Sequence, residues 1–343
     1  LPVHPTERPR RLLHQTKFWY LPSNNIHLQI FFCVDSRMKQ IKTTGMQIKV
    51  PKGNAFPYKT PPMCPKSHVL LGCFGKRGAS KSTSTVNLIN QMGYDRCFVI
   101  SPTFASNYGL MKMLPIKNES DVYGDVDDVS CLDDIMEKVN KIKDDMLKYE
   151  KDMKTYRTFL KVLNDPSRNV PDAMLMSFYS NGHFAPPVWE YGVDASGKAK
   201  PPMCCLLVDD AQGSKIMTSR KTMNMVLKHR HLGSFPGEER PSLGLSMFFL
   251  CQTYRSVSGG CPKWLRANQT ASMLFSNKDL KEVDFVASEM AGEVDKDEFL
   301  KAYNFATEEP YGFLFVDLHK KDCHPSGLRK NFNTFLIPGE YKK

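Results

Sequence analysis

The stretch Val69-Leu-Leu-Gly-Cys-Phe-Gly-Lys-Arg-Gly-Ala-Ser-Lys-Ser-Thr83 constrains this chain more than any other. Its apolar run, Val69 to Phe74, predicts a buried strand. A small, glycine-containing loop follows, then a helical pattern from Thr83 to Met92. Strand, tight loop and helix make the context in which G-x-x-x-x-G-K-[ST] works as a phosphate-binding loop. Amide N–H groups in the loop and at the helix N-terminus carry partial positive charge and cradle phosphate oxygens. On this reading Gly75, Lys76, Arg77, Gly78, Ala79, Ser80, Lys81, Ser82 and Thr83 form the cradle. Lys81 reaches the β- and γ-phosphates, and the Ser82 hydroxyl is a ligand for Mg²⁺. One position departs from the pattern. Ser80 stands where the second glycine belongs, and its Cβ crowds a backbone that must approach the nucleotide closely. The competing reading is an ordinary strand–turn–helix with a chance Lys-Ser pair.

A second stretch answers the first. Met203-Cys-Cys-Leu-Leu-Val-Asp-Asp210 is an apolar strand that ends in two carboxylates. Asp209 is expected beside the Mg²⁺ of a bound nucleotide, and Asp210 where a base polarises attacking water. Strands also finish in turn-forming Asp, so the pair gains meaning from the loop before it. Another apolar strand, Leu245 to Cys251, ends in Gln252, whose amide is placed to read a γ-phosphate or position water. Glutamine at a strand end is equally commonplace.

Between these strands runs the clearest periodicity in the chain. Leu132, Ile135, Val139, Ile142, Met146, Tyr149, Met153, Tyr156, Leu160 and Leu163 alternate by threes and fours, with Lys, Asp and Glu filling the gaps. That is a heptad seam on a long amphipathic helix, at about 130–165. Packing on its own domain is favoured over an intermolecular coiled coil. Further strands are expected at Cys97–Ser101, Ala271–Phe275 and Gly312–Asp317. Helices are expected from Thr103–Asn107 to Leu114, over Ser214–Arg230, Lys278–Met290 and Asp295–Tyr303. Residues Gly192–Gly197 suggest a hairpin tip, and the tail around Arg329-Lys330 reads as basic.

Composition sets the outer bounds. The 343 residues suit one large α/β domain with insertions, or two domains. The opening 1–45, with the basic segment Pro5 to Arg11, reads as an extension that is non-native, disordered or a nucleic-acid arm; 46–343 holds the remaining motifs. Net charge is +11, with 47 Lys and Arg against 36 Asp and Glu, which favours a polyanionic partner. Ten scattered cysteines without a CxxC pair point to reduced thiols rather than disulfides or zinc. No apolar run approaches membrane-spanning length.

The order of motifs carries a resemblance. It runs from the phosphate loop through Ile100-Ser-Pro-Thr103 with Ser106-Asn107, Leu207-Val-Asp-Asp210, and Arg230-His231. Phe249-Leu-Cys-Gln-Thr-Tyr254, Leu265-Arg-Ala-Asn268 and Tyr311-Gly-Phe-Leu-Phe-Val-Asp-Leu318 complete it. From about 66 to 338 the chain resembles the genome-packaging ATPases of large double-stranded DNA viruses and virophages, the poxvirus-type branch of the FtsK/HerA superfamily. The resemblance implies a RecA-like α/β P-loop fold of the ASCE type, with a mainly parallel sheet flanked by helices. It implies ATP and Mg²⁺ as cofactors and a homo-oligomeric ring on double-stranded DNA without sequence preference. A viral capsid vertex would be the docking partner, in the virion or the host-cell cytoplasm at a viral factory. Asp210 and Gln252 would orient water, and Arg230 would act on a neighbouring subunit's nucleotide, with Arg255 and Arg266 as other candidates. Asp210 departs from the Glu that many relatives carry, which shortens its reach to water. Two rivals share the motifs: a cellular or plasmid DNA translocase, and a non-hydrolysing, ATP-gated DNA-binding or scaffold protein.

Overall fold

The computed structural model describes residues 29–31, 40–42 and 58–339, apart from 165–170, 183, 238–239, 257–258 and 293. The basic segment Pro5 to Arg11 and Cys33 lie outside them, as does Gly45–Val50, whose alternating sequence suggests a short strand. The chain divides into two compact units, 1–53 and 54–343. In the first, β1 (Gln29–Phe31) pairs antiparallel with β2 (Gln40–Lys42).

The second unit is built on a nine-stranded sheet. In chain order its strands are β3 (Leu70–Phe74), β4 (Arg96–Ile100), β5 (Val122–Tyr123), β6 (Cys204–Val208), β7 (Ser246–Cys251), β8 (Ala271–Phe275), β9 (Phe313–Asp317), β10 (Leu328–Lys330) and β11 (Thr334–Leu336). Their spatial order is β11-β10-β9-β8-β3-β7-β6-β4-β5. From β8 to β5 every pairing is parallel, while β9, β10 and β11 add an antiparallel edge. The helices are α1 (Lys81–Met92), α2 (Tyr108–Met111), α3 (Cys131–Leu163), α4 (Asp172–Ser180), α5 (Lys215–Thr218), α6 (Arg220–Lys228), α7 (Lys263–Asn268), α8 (Leu280–Met290) and α9 (Lys296–Ala306).

The central strands are apolar without alternation because both of their faces are covered. Leu70, Phe98, Ile100, Leu206 and Val208 face a layer that includes α3, α6, α8 and α9. Leu71, Cys73, Val99 and Leu207 face the layer of α1 and α2. This is the RecA-like P-loop arrangement, in which β7 is inserted between β3, which leads into the Gly75–Thr83 loop, and the Asp-Asp strand β6. Among the described residues, nine cysteines are free thiols, eight of them buried, and no helix is long and apolar enough to cross a membrane.

Three helical expectations need correction. The helix expected to reach Leu114 is a 3-10 turn, Ala105–Asn107, followed only by α2. Pro115 disfavours helix at the residue before it, and its carbonyl accepts the Cys97 amide at 2.9 Å. The basic helix over Ser214–Arg230 is broken at Ser219, which is extended. The Ser219 hydroxyl accepts the Thr222 amide and restarts the chain as α6, an N-cap in the interior of the expected helix.

The third correction concerns the heptad seam of α3. Leu132, Ile135, Val139, Ile142, Met146 and Tyr149 are buried as expected, against the chain's own sheet layer. Beyond Tyr149 the buried side shifts to Phe159 and Val162, and Leu163 is 52% exposed. A straight helix drifts by about 20° per heptad from a strict seven-residue repeat, so a long seam cannot stay on one flat neighbour. The hairpin tip is present: Val193 and Ala199 form an antiparallel bridge.

The tail is not a solvated basic strip. Arg329 on β10 is fully buried, with Nη2 3.1 Å from Asp317 Oδ2 and 3.0 Å from His324 Nδ1. Its guanidinium lies between the rings of Phe315 and Phe335 and also donates to the Met63 carbonyl. This cluster pins the segment before β3 onto the antiparallel edge. Arg329→Ala leaves the buried Asp317 carboxylate without its cation and is expected to cost about 3–5 kcal/mol. A urea-unfolding midpoint unchanged from the parent would contradict that assignment.

Candidate active site

The site lies where the parallel strands end. β3 ends at Phe74, and the chain turns through Gly75, whose amide donates to the Cys251 carbonyl at 3.2 Å. A Cβ on Gly75 would stand 2.7 Å from Phe275 Cβ, so only glycine lets the loop leave the sheet here. Gly78 and Ser80 both take left-handed backbone, with φ of 80° and 68°. The pattern's second glycine is thus a backbone requirement, and Ser80 meets it at a cost of roughly 1–2 kcal/mol. The expected crowding by its Cβ becomes strain in φ.

Helix α1 then begins with no side-chain cap and no acidic residue in its first turn. Its first amides have no intrahelical acceptor, so they are available to an anion together with the positive end of the helix dipole. Lys81 Nζ folds back to the Lys76 carbonyl at 3.2 Å, which keeps the ammonium over the loop. Lys76, Arg77 and Gly78 are exposed at the loop's crest, and Thr83 lies exposed on α1.

Strand order brings the second half of the site alongside. The Asp209 amide donates to the Ile100 carbonyl, continuing β6 against β4. The Asp209 side chain, 2% exposed, accepts the Ser82 hydroxyl at 2.8 Å. Burial pushes the Asp209 carboxyl above the ordinary carboxylate range, as does Asp210, while the Ser82 hydrogen bond and the Lys81 charge pull it down. Such a carboxylate gains from a cation beside it. A hydroxyl and a carboxylate in contact are hard oxygen donors, and they suit Mg²⁺ completing its shell from phosphate and water. Among the described residues no group of three or more His, Cys, Asp or Glu could hold a metal. A metal here would share its shell with its ligand.

Asp210 is exposed, with φ of 51°, and accepts the Thr103 hydroxyl at 3.0 Å. Gln252 lies just past β7, between Gly75 and the Asp209-Asp210 turn. Its side chain is exposed and lines a small cavity with Gly75, Tyr254 and Asn277. A residue that sequence reasoning missed ties these parts together. Gln212 Oε1 accepts the amides of Gln252 at 2.7 Å and Thr253 at 3.2 Å, and Gln212 Nε2 donates to Thr253 Oγ1 at 2.8 Å. This side chain joins the Asp-Asp turn to the Gln252 strand end. Glutamine in a turn carries no sequence signal for that role.

Arg230 is not brought to this cluster. It is exposed in the turn His229–His231, where the His229 carbonyl accepts the Leu245 amide at the start of β7. His229 Nε2 lies 3.1 Å from the His68 carbonyl, just before β3. Arg230 therefore sits at the opposite ends of the strands that carry Gly75 and Gln252, a five- to six-residue strand away, about 16–20 Å. It lines a cleft of about 570 Å³ with Tyr58, Lys59, His68 and Lys321. Arg255 and Arg266 lie on the loop-side end, over the Phe285 ring at 4.4 and 5.4 Å.

A scan against protein-family models finds no match, and a search of curated proteins finds none. Among solved structures, the chain is similar to the genome packaging NTPase B204 from Sulfolobus turreted icosahedral virus 2. The AMP complex is 12% identical, with 78% of this chain and 98% of that chain covered and a TM-score of 0.39. The ATP-gammaS complex is 11% identical, with 73% and 92% covered and a TM-score of 0.36. The pCW3 conjugation coupling protein TcpA, in its monomer form with ATPgS, is 13% identical, with 90% of this chain and 78% of that chain covered and a TM-score of 0.35.

The left-handed backbone at position 80 yields a direct test. Ser80→Gly removes the Cβ penalty without removing a capping hydrogen bond, and is expected to raise stability by about 1 kcal/mol. Thermal unfolding of the two proteins side by side measures it. A lower melting temperature for the glycine variant would show that the Ser80 side chain is itself needed.

Proposed function

We propose that this chain hydrolyses ATP and couples each turnover to movement of double-stranded DNA, as the genome-packaging motor of a large DNA virus. The observation that carries the reading is one end of the sheet. Uncapped helix amides, Lys81, the Ser82–Asp209 pair, Asp210 and Gln252 meet there on the strand order of a RecA-like P-loop domain. DNA as the partner is supported by the net charge of +11, and packaging by the order of motifs along the chain.

In this mechanism the loop amides of residues 75–83 orient the β- and γ-phosphates. Lys81 exchanges the Lys76 carbonyl for phosphate oxygens. Ser82 Oγ and Asp209 would hold Mg²⁺, and with the nucleotide bound the ion would supply charge neutralisation at the phosphate oxygens. Asp210, freed from Thr103, accepts a proton from the attacking water, and the Gln252 amide fixes that water in line with the γ-phosphorus. Gln212 keeps Gln252 and Asp210 at a set separation. Arg230 cannot serve its own site, so its guanidinium acts from a neighbouring subunit on the charge that spreads over the leaving phosphate. DNA contacts are to phosphates, because a motor must accept every base pair.

The non-hydrolysing alternative rests on Ser80. The loop keeps its left-handed turn with serine in place, which favours turnover over a dead site. Lys81→Ala is expected to abolish ATP hydrolysis, and Asp210→Asn to leave ATP bound but turnover at least a hundredfold slower. Steady-state hydrolysis and equilibrium nucleotide binding separate these. Parent-like turnover in Lys81→Ala would refute the phosphate loop, and equal loss of binding in both variants would assign both residues to nucleotide and metal.

The trans role of Arg230 has its own test. Arg230→Ala and Lys81→Ala subunits, each inactive alone, are expected to regain part of their activity when mixed. Each intact Lys81 site can then meet an intact Arg230. Full activity of Arg230→Ala alone, or mixed assemblies that stay inactive, would move the role to Arg255 or Arg266.

A further inference from the structure

The distal half of α3 has no part in the site described above. After Tyr149 fourteen helical residues run on to Leu163, a length of about 21 Å. Where α3 meets the hairpin at residues 192–200 there is a groove of about 520 Å³. Four exposed cations line it: Lys154, Arg157 and Lys161 from the helix, and Lys198 from the hairpin. The three helix cations are spaced i, i+3 and i+7, which puts them in one row about 10 Å long.

The groove is built rather than incidental. Arg157 Nη2 donates to the Ser196 carbonyl at 2.8 Å, and a Cβ on Gly197 would lie 3.0 Å from the same nitrogen. Gly197 is left-handed, with φ of 71°, so the hairpin turns tightly under the guanidinium. The Tyr149 hydroxyl reaches the Gly197 carbonyl at 3.5 Å from the helix side. Two acidic groups beside the groove are already engaged. Arg240 binds Glu150 through both oxygens, at 3.0 and 2.5 Å, and Asp194 accepts the Ser196 and Lys198 amides at 2.8 and 3.0 Å. The row of cations therefore has no free carboxylate among its lining residues.

We propose that this groove seats the phosphate backbone of duplex DNA. The inference rests on the DNA-motor reading and adds the place of contact, at the sheet-distal end of the helical insertion. A row of cations about 10 Å long, held at fixed spacing on one α-helix, matches consecutive backbone phosphates of a regular duplex. Single-strand sites stack bases on exposed aromatic rings. The aromatic residue lining this groove, Tyr149, is buried.

The test is the full chain carrying Lys154→Glu, Lys161→Glu and Lys198→Glu, with Lys281→Glu on α8 as a charge control. The three lysines mapped to glutamine form a second variant that removes charge without adding the opposite sign. Binding to a random-sequence duplex is measured across salt concentrations, beside ATP hydrolysis without DNA. The expected result is at least a tenfold loss of duplex affinity in the glutamate variant, a smaller loss in the glutamine variant, and unchanged DNA-free hydrolysis. The slope of log affinity against log salt should fall by roughly 2 to 3, one phosphate contact per lysine. Parent-like affinity and slope in both variants would overturn the groove while leaving the motor reading intact. A parent that binds no duplex would overturn both. Loss of binding to polyglutamate with duplex affinity retained would assign the groove to an acidic polypeptide instead.

Discussion

The hydrogen bond from the Ser82 hydroxyl to the Asp209 carboxylate spans the sheet between segments far apart in the chain. It forms only if β3 and β6 are held parallel with one strand between them, and β7 supplies that spacing. With both edges paired and both faces covered by core layers, β7 has no solvent contact, which is why Ser246 to Cys251 is buried throughout. The same strand then delivers Gln252 between the Gly75–Thr83 loop and the Asp-Asp turn. The donor, the acceptor and the amide thus depend on a single parallel register.

Strain gathers where the strands end. Ser80 and Asp210 both hold left-handed backbone, each costing more than a glycine would. Asp tolerates this conformation better than most residues, and the Thr103 hydroxyl helps hold its carboxylate. Serine at position 80 has no capping bond to offset its cost. Non-glycine residues in such conformations persist only when the surrounding structure over-determines them. Here Gly75 packed on Phe275 fixes one end of the loop, and α1, buried through Val86 and Ile89, fixes the other.

Two basic features of the sequence take opposite physical roles. Arg329 is drawn into the interior, where Asp317, His324 and two aromatic rings replace its water. Lys154, Arg157 and Lys161 stay in solvent on a helix whose apolar seam has already left the sheet, and Lys198 stays in solvent on the facing hairpin. Composition counts all of them equally toward +11. Only the exposed group has charge to offer a polyanion, because the field of a buried, paired cation is largely cancelled.

Much of the architecture was legible because it is encoded locally. Apolar runs mark both-face-buried strands, and the order of small loop residues before Lys81 marks a strand–loop–helix turn. The carboxylates after Val208 mark the end of a strand. The long periodic helix was readable to Tyr149 for the same reason: an amphipathic repeat needs only its own spacing. Beyond that point burial depends on which neighbour the helix meets, and the seam moved to Phe159 and Val162. The Gln212 bridge, the break at Ser219 and the interior place of Arg329 had no local signal, since each depends on a partner brought in from another segment. Arg230 is the sharpest case. The resemblance assigned it to a neighbouring subunit's nucleotide, and its distance from its own loop has a purely tertiary cause: a parallel strand begins and ends at opposite edges of the sheet. The sequence alone determined which strands end in a glycine-containing loop, in paired carboxylates and in a glutamine amide. Strand direction and order, settled by long-range pairing, decided which of them meet.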